Sequence, residues 1–307
     1  MKKISGSVIL FAILLEAVVF AVLADSFLSV DNLVNIALSI AVIGILAVGM
    51  TLVILTGGID LSIGSVLALA GVAAALVAVR TDSALAGYAA AFAVAVFAGC
   101  FNGFFTAYLK VPAFIVTLAV LTIARGLAFI LAEGRSIGNL PESFSWLGKF
   151  SVFGIPVAVL IMLASFAAGW FLLARTRFGR YVYAVGGNAE ASFLAGINVK
   201  SVVFWVYVLN GFLVGLAAVV LSSRLGAGVP NSGLQYELDV IAAVVVGGTS
   251  LAGGRGSVVA TFFGAVFIAV LNNGLNLAGI DPYLQKIALG AVILLAVLGD
   301  RLHNRQT

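Results

Sequence analysis

Among 307 residues, the groups able to do chemistry are few and widely spaced. The sole histidine, His303, lies in the tail and the sole cysteine, Cys100, lies inside an apolar run, so the sequence supports neither a metal site nor a histidine-based catalytic triad. The only Gly-Lys pair, Gly148-Lys149, is followed by Phe150, so the G-x-x-x-x-G-K-[ST] loop with which an ATP-burning pump cradles phosphate is absent. No catalytic residue, metal or cofactor is expected in this chain. What remains is a pair of glycine breaks and a scatter of polar side chains in apolar surroundings. Gly57-Gly58 is followed by Asp60, and Gly247-Gly248 is followed by Arg255. A helix broken in lipid is tolerated only against protein or a wet cavity, which makes Gly57, Gly58, Asp60, Gly247 and Gly248 candidates to line a path. The competing reading makes both breaks surface turns, with Asp60 solvated or capping the next helix. Glu16, Asn102, Arg125, Asn210, Asn272, Asn273, Asn276 and Lys286 lie inside apolar runs. Ionisable groups there cost a few kcal/mol and face a bundle interior or a watery route. Asn102, Asn273 and Asn276 join the candidate path, against the alternative of interhelical hydrogen bonds worth about 0.6 kcal/mol each. Arg125 and Lys286 also fit snorkelling from near a helix end.

The elements that must position these groups are apolar throughout. The chain is 63% hydrophobic and 9% charged, with a mean hydropathy of +1.23, where a soluble domain carries about 25% charge. Apolar segments fall at 4–24, 33–55, 61–79, 84–109, 113–132, 152–174, 201–223, 257–278 and 283–299, with a shorter run at 238–247. Runs of roughly 20 residues cross a hydrocarbon layer as helices, so the expected fold is all-α, a polytopic transmembrane bundle of about ten spans with broken helices. Residues 1–307 read as one membrane domain. Lys2-Lys3 and the following run resemble a signal peptide, but its length and Glu16 favour a first span. On the ten-span reading, Lys2, Lys3, Lys110, Arg175, Arg177, Arg180, Lys200, Arg255, Arg301 and Arg305 fall on the N-terminal side, and only Arg80, Arg135, Lys149 and Arg224 on the other. The positive-inside rule then puts both termini and the 175–200 segment in the cytoplasm. The net charge of +4 sets orientation and signals no nucleic acid. "GGIDLSIGSVLALAG" from Gly57 echoes "GGTSLAGGRGSVVATFFG" from Gly247, and "NGFFTAYLKVP" from Asn102 echoes "NGLNLAGIDP" from Asn273, a pattern of internal duplication. Gly99-x-x-x-Gly103 and Gly211-x-x-x-Gly215 permit close helix packing.

The most polar long stretch is "RTRFGRYVYAVGGNAEASFLAGINVK", Arg175 to Lys200. Arg175, Arg177 and Arg180 mark the cytoplasmic exit of a span, and Gly186-Gly187-Asn188 breaks the chain. "AEASFLAG" then reads as a short helix with Asn188 as N-cap, Glu190 in its first turn and Gly196 as its stop. A helix of about two turns is marginal in water, so its exposed Phe193 and Leu194 call for a cytoplasmic protein partner. Lipid headgroups are the alternative support.

Glu190-Ala191-Ser192, three residues and Gly196 resemble the EAA-x-x-x-G coupling segment of ABC importer permeases, with Ser192 replacing the second alanine. The surrounding stretch, "AVGMTLVILTGGIDLSIGSVLALAG" from Ala47, "YELDVIAAVVVGGTSLAGGRGSVV" from Tyr236 and "LNNGLNLAGIDPYLQKIALGAVILLAVL" from Leu271 resemble the ribose-type branch of that family over nearly the whole chain. The resemblance implies the permease subunit of an importer for a monosaccharide, ribose foremost, with xylose, galactose and autoinducer-2 carried by permeases sharing these blocks. It implies a homodimer among the lipids of the bacterial inner membrane, a cytoplasmic ABC ATPase that holds ATP and Mg²⁺, and a periplasmic sugar-binding protein. Arg177, Gly179, Arg180, Gly186, Asn188, Glu190, Ala191, Ser192 and Gly196 would form the ATPase-coupling segment. Two other classes fit the residues without the resemblance. One is a secondary transporter coupled to ions through Glu16, Asp60 or Lys286, and the other is a passive channel.

Overall fold

The computed structural model describes residues 6–304, and these fold as an all-α bundle. In chain order the long helices are α1 (Gly6–Leu23), α2 (Val30–Leu55), α3 (Ile63–Thr81), α4 (Ala84–Ala107) and α5 (Ala113–Leu131). A 3₁₀ turn (Glu142–Ser145), one turn of helix, α6 (Trp146–Lys149), and a two-residue hairpin, β1 (Ser151–Val152) with β2 (Ile155–Pro156), follow. Then come α7 (Val157–Arg175), α8 (Arg177–Gly187), α9 (Ala189–Leu194), α10 (Val199–Leu225), α11 (Tyr236–Val246), α12 (Val258–Leu277) and α13 (Pro282–Asn304). Seven of these, α2, α3, α4, α5, α7, α10 and α12, are long and apolar enough to cross a membrane. Shorter apolar stretches lie in α1 and α13. The chain is a multi-pass membrane protein.

Helix α2 is the axis of the bundle. It is apolar on every side, the pattern of a helix enclosed by others, and its most apolar window is 89% buried. Ser29 caps its start, accepting from Asn32 N at 3.3 Å. Around it, α4 and α10 pack closely because both glycine motifs are spent on this one contact. A Cβ on Gly99 would lie 3.1 Å from Gly211 Cα, and one on Gly103 would lie 2.9 Å from Phe204 O. The small-xxx-small pattern thus serves packing within the chain.

Two spans are broken. After α2, Gly57 takes φ +80° and the chain runs irregularly to Ile63 before α3 begins. The second break is wider than the sequence suggested. The short run read at 238–247 is α11, eleven residues with a rise of about 16 Å, only half of a hydrocarbon layer. Ahead of it, residues 226–235 have no regular structure and follow α3, with Gly228 against Ala75 and Gly233 against Gly64. Helix α11 then runs antiparallel to α12, Gly264 seating against Ala243 and Gly247 against Ala260 and Thr261. Residues 152–156, read as the start of a span, belong instead to the hairpin, where Pro156 ends the strand and precedes α7.

Candidate functional site

The polar segment folds as an arm of two helices at the end of the bundle where α2 stops. Thr176 starts α8, its hydroxyl accepting from Gly179 N at 3.1 Å. Gly179 is required there, because a Cβ would strike the carbonyls of Leu172 and Leu173 at the tight α7–α8 corner. Val182 and Val185 bury one face of α8, while Arg177 and Arg180 stay exposed on the other. Arg175 stacks its guanidinium over Trp170 at 5.6 Å. The chain breaks at Gly186-Gly187-Asn188 as expected, but the residues ahead of the break form a helix, α8, not expected from the sequence. Asn188 then starts α9, its Oδ1 accepting from Ala191 N at 2.8 Å. Glu190 and Ala191 are exposed, Glu190 in the first turn where a carboxylate offsets the helix dipole. Ser192 is buried beneath the helix, Phe193 and Leu194 are 69% and 80% exposed, and Gly196 leaves the helix at φ +83°.

The arm is fastened to the bundle through backbone. Gly186 lies so close to the end of α2 that a Cβ would fall on Leu55 O and within 2.6 Å of Gly254 N. Gly254 N itself donates to Leu55 O at 2.9 Å. At Gly253 (φ +84°) a Cβ would sit 2.9 Å from Gly186 O and 3.0 Å from Gly57 N. Tyr183 adds a side-chain tie from α8, donating to Gly256 O at 3.0 Å. Burial pushes the Tyr183 hydroxyl above its ordinary pKa, so it keeps the proton it donates. Three elements distant in sequence, the end of α2, the end of α8 and the 247–257 loop, thereby meet in a joint with almost no side chains.

The residues read as a path do not form one site. Asp60 is neither solvated nor at a surface: it is 3% exposed, and its carboxylate accepts from Ser62 N at 2.9 Å, Ser62 Oγ at 2.6 Å and Asn210 Nδ2 at 2.8 Å. Asn102 joins the same cluster, donating to Ser62 Oγ at 3.0 Å. The cluster ties α4 and α10 to the start of α3. Asn273 is elsewhere, exchanging hydrogen bonds with Asn32 of α2 at 3.0 and 2.9 Å. Asn276 is exposed one turn further along α12. Gly247 is pressed against α12 and Gly248 is exposed. Glu16 on α1, Asp60 between α2 and α3, and Lys286 on α13 lie in three separate parts of the chain. Gly57 and Gly58 do line a cavity, a cleft of about 1020 Å³ bordered also by Thr106, Lys110, Glu190 and Phe193, with Tyr207 at its floor.

The family described as the branched-chain amino acid transport system permease component matches residues 32–297. The chain belongs to this permease family. The permease is 45% identical over 295 residues to the ribose import permease protein RbsC of Escherichia coli strain K12, covering 95% of this chain and 92% of that one. Its identity to the protein of the same name from Bacillus subtilis strain 168 is 42%, covering 92% and 89%. The L-arabinose transport system permease protein AraH of Escherichia coli strain K12 is 38% identical, covering 96% and 90%. No solved structure matches the permease.

Sequence reasoning passed over Tyr183, Leu55, Gly253 and Gly254. The glycines of "LAGGRGS" were visible as a run, but nothing local signals that their partners lie in α2 and α8.

Proposed function

We propose that this chain is the membrane-spanning permease subunit of an ATP-driven importer that carries a monosaccharide, ribose before other aldoses. The observation that carries the reading is the arm: a capped two-helix projection with exposed Phe193 and Leu194, locked by backbone contact to the most buried helix of the bundle. Such an arm suits a lever gripped by a separate motor. The motor is a cytoplasmic ATPase that keeps ATP and Mg²⁺ to itself, and the excess of basic residues at the arm's end of the bundle supports a cytoplasmic position. A sugar-binding protein docks on the opposite, periplasmic face, and a second copy of the chain completes the path. ATP binding draws the ATPase pair together and displaces α9. The joint passes the displacement to α2 and to the α11–α12 pair, and the two copies rock so that the path opens to alternate sides. The identity to chains named for ribose supports that sugar.

The test is reconstitution of the chain in liposomes with its ATPase and binding protein. Labelled ribose should enter only with all three components and ATP, and the binding protein should stimulate hydrolysis. Uptake by this chain alone, driven by an ion gradient or running down a sugar gradient without saturation, would overturn the reading.

A further inference from the structure

The polypeptide between α10 and α11 starts beside the loop that follows α5, Gly228 bridging to Ile137, and runs back along α3 without forming a helix. Two contacts set its depth. The Arg125 guanidinium donates to Pro230 O at 2.7 Å and Ser232 O at 2.8 Å, and Arg125 lies about 18 Å along α5 from its start at Ala113. Gly264, about 9 Å along α12 from its start at Val258, seats against Ala243, which is about 10 Å along the antiparallel α11 from its start at Tyr236, so α11 begins roughly 20 Å along α12. Both points lie about 9 Å short of the far ends of these helices, inside a hydrocarbon layer of about 30 Å.

Irregular backbone at that depth is tolerated only when it is buried in protein or lines water, and this stretch is only partly buried: Gly228, Pro230 and Gly233 pack inward, while Leu234 is 58% exposed. Asn231 and Gln235 are exposed, and Glu237 is half-buried with Arg125 close enough to attract it. Gln235, the residue before α11, is held at φ +68°. A left-handed conformation in a residue with a side chain costs of order 1 kcal/mol and marks backbone fixed by its surroundings. The chemistry is also specific. Arg125 and Glu237 offset each other's charge, and the two amides supply donors and acceptors with none. That set suits a neutral solute rich in hydroxyl groups better than an ion.

We propose that the junction of the 226–235 segment with α11 forms one wall of the solute path within the membrane. Asn231, Gln235 and Glu237 offer hydrogen bonds to a neutral polyhydroxylated solute, and Arg125 positions the loop by holding its carbonyls. This rests on the permease reading, in which a second copy supplies the opposite wall.

The single native cysteine makes the test direct. In a Cys100→Ser background, Gln235→Cys and, separately, Asn231→Cys are compared with Ile123→Cys, which lies on an exposed apolar face of α5. A charged, water-soluble thiol reagent is applied to the assembled transporter in proteoliposomes. Both loop cysteines should react at least about tenfold faster than Ile123→Cys, because a charged reagent reaches water-lined but not lipid-facing thiols. Their modification should abolish ribose uptake while hydrolysis stimulated by the binding protein persists. Rates no faster than that of Ile123→Cys, or fast modification with uptake intact, would overturn the proposal. A transporter that carries no sugar at all would sink the permease reading instead, and the thiol rates would still report whether the loop faces water.

Discussion

Substitution of Gly186 by alanine tests the joint at the base of the arm. The new methyl group falls on Leu55 O and 2.6 Å from Gly254 N, where ordinary contacts need a separation an ångström greater. Relief requires the end of α8 to withdraw from Leu55 O and Gly254 N, which breaks the bond from the Tyr183 hydroxyl to Gly256 O. That loss is worth about 1 kcal/mol net, and overpacking a fitted contact adds about 1–3 kcal/mol. A local cost of roughly 2–4 kcal/mol is below the total stability of a typical domain and shifts a local equilibrium by roughly 30-fold or more. The variant should therefore insert, fold and retain its ATPase, measured by co-purification, while ribose uptake falls at least about tenfold and hydrolysis loses its response to the binding protein. Gly187→Ala is the control, because a Cβ at the adjacent residue meets nothing within 4 Å. If the two variants transport equally well, the joint does not transmit, and the reasoning fails.

Replacing both Phe193 and Leu194 with serine should abolish ATPase co-purification with little change in thermal stability, since both side chains are exposed; retained binding would place the ATPase contact elsewhere. Asn188→Ala removes the α9 cap and should weaken ATPase association by about 1 kcal/mol, read in a binding titration. Asp60→Leu leaves the Asn210 amide, 1% exposed, without its acceptor and should destabilise the detergent-solubilised protein by about 1–3 kcal/mol in thermal unfolding, whereas Asp60→Asn should recover part of the loss. A double-mutant cycle between Asn32 and Asn273 should return a coupling near 0.6 kcal/mol, the usual worth of a hydrogen bond between membrane helices.

The long helices were readable because an apolar run of fixed length has few other uses, and α9 was readable because its cap, its first-turn acid and its stopping glycine are all local signals. Helix α8 was not, because the proximity of Leu55 O, which admits only glycine at Gly186, comes from outside the segment. The segment from Gly226 to Gln235 has the Gly, Pro, Asn and Ser content of a surface turn, and its depth emerges only from the reach of Arg125. Asp60 was conspicuous as a lone acid, yet its partners come from 42 and 150 residues away, pairings that no local pattern encodes.

Helix α2 has no proline, and its two glycines are wedged, Gly44 by Met162 and Gly49 by Asn210. Without a hinge, its 26 residues make a stiff rod about 39 Å long. A nudge delivered at Leu55 therefore arrives undiminished near Asn32, where the clasp with Asn273 lies. One unbending spoke can thus carry a push from the arm's end of the bundle to the opposite end.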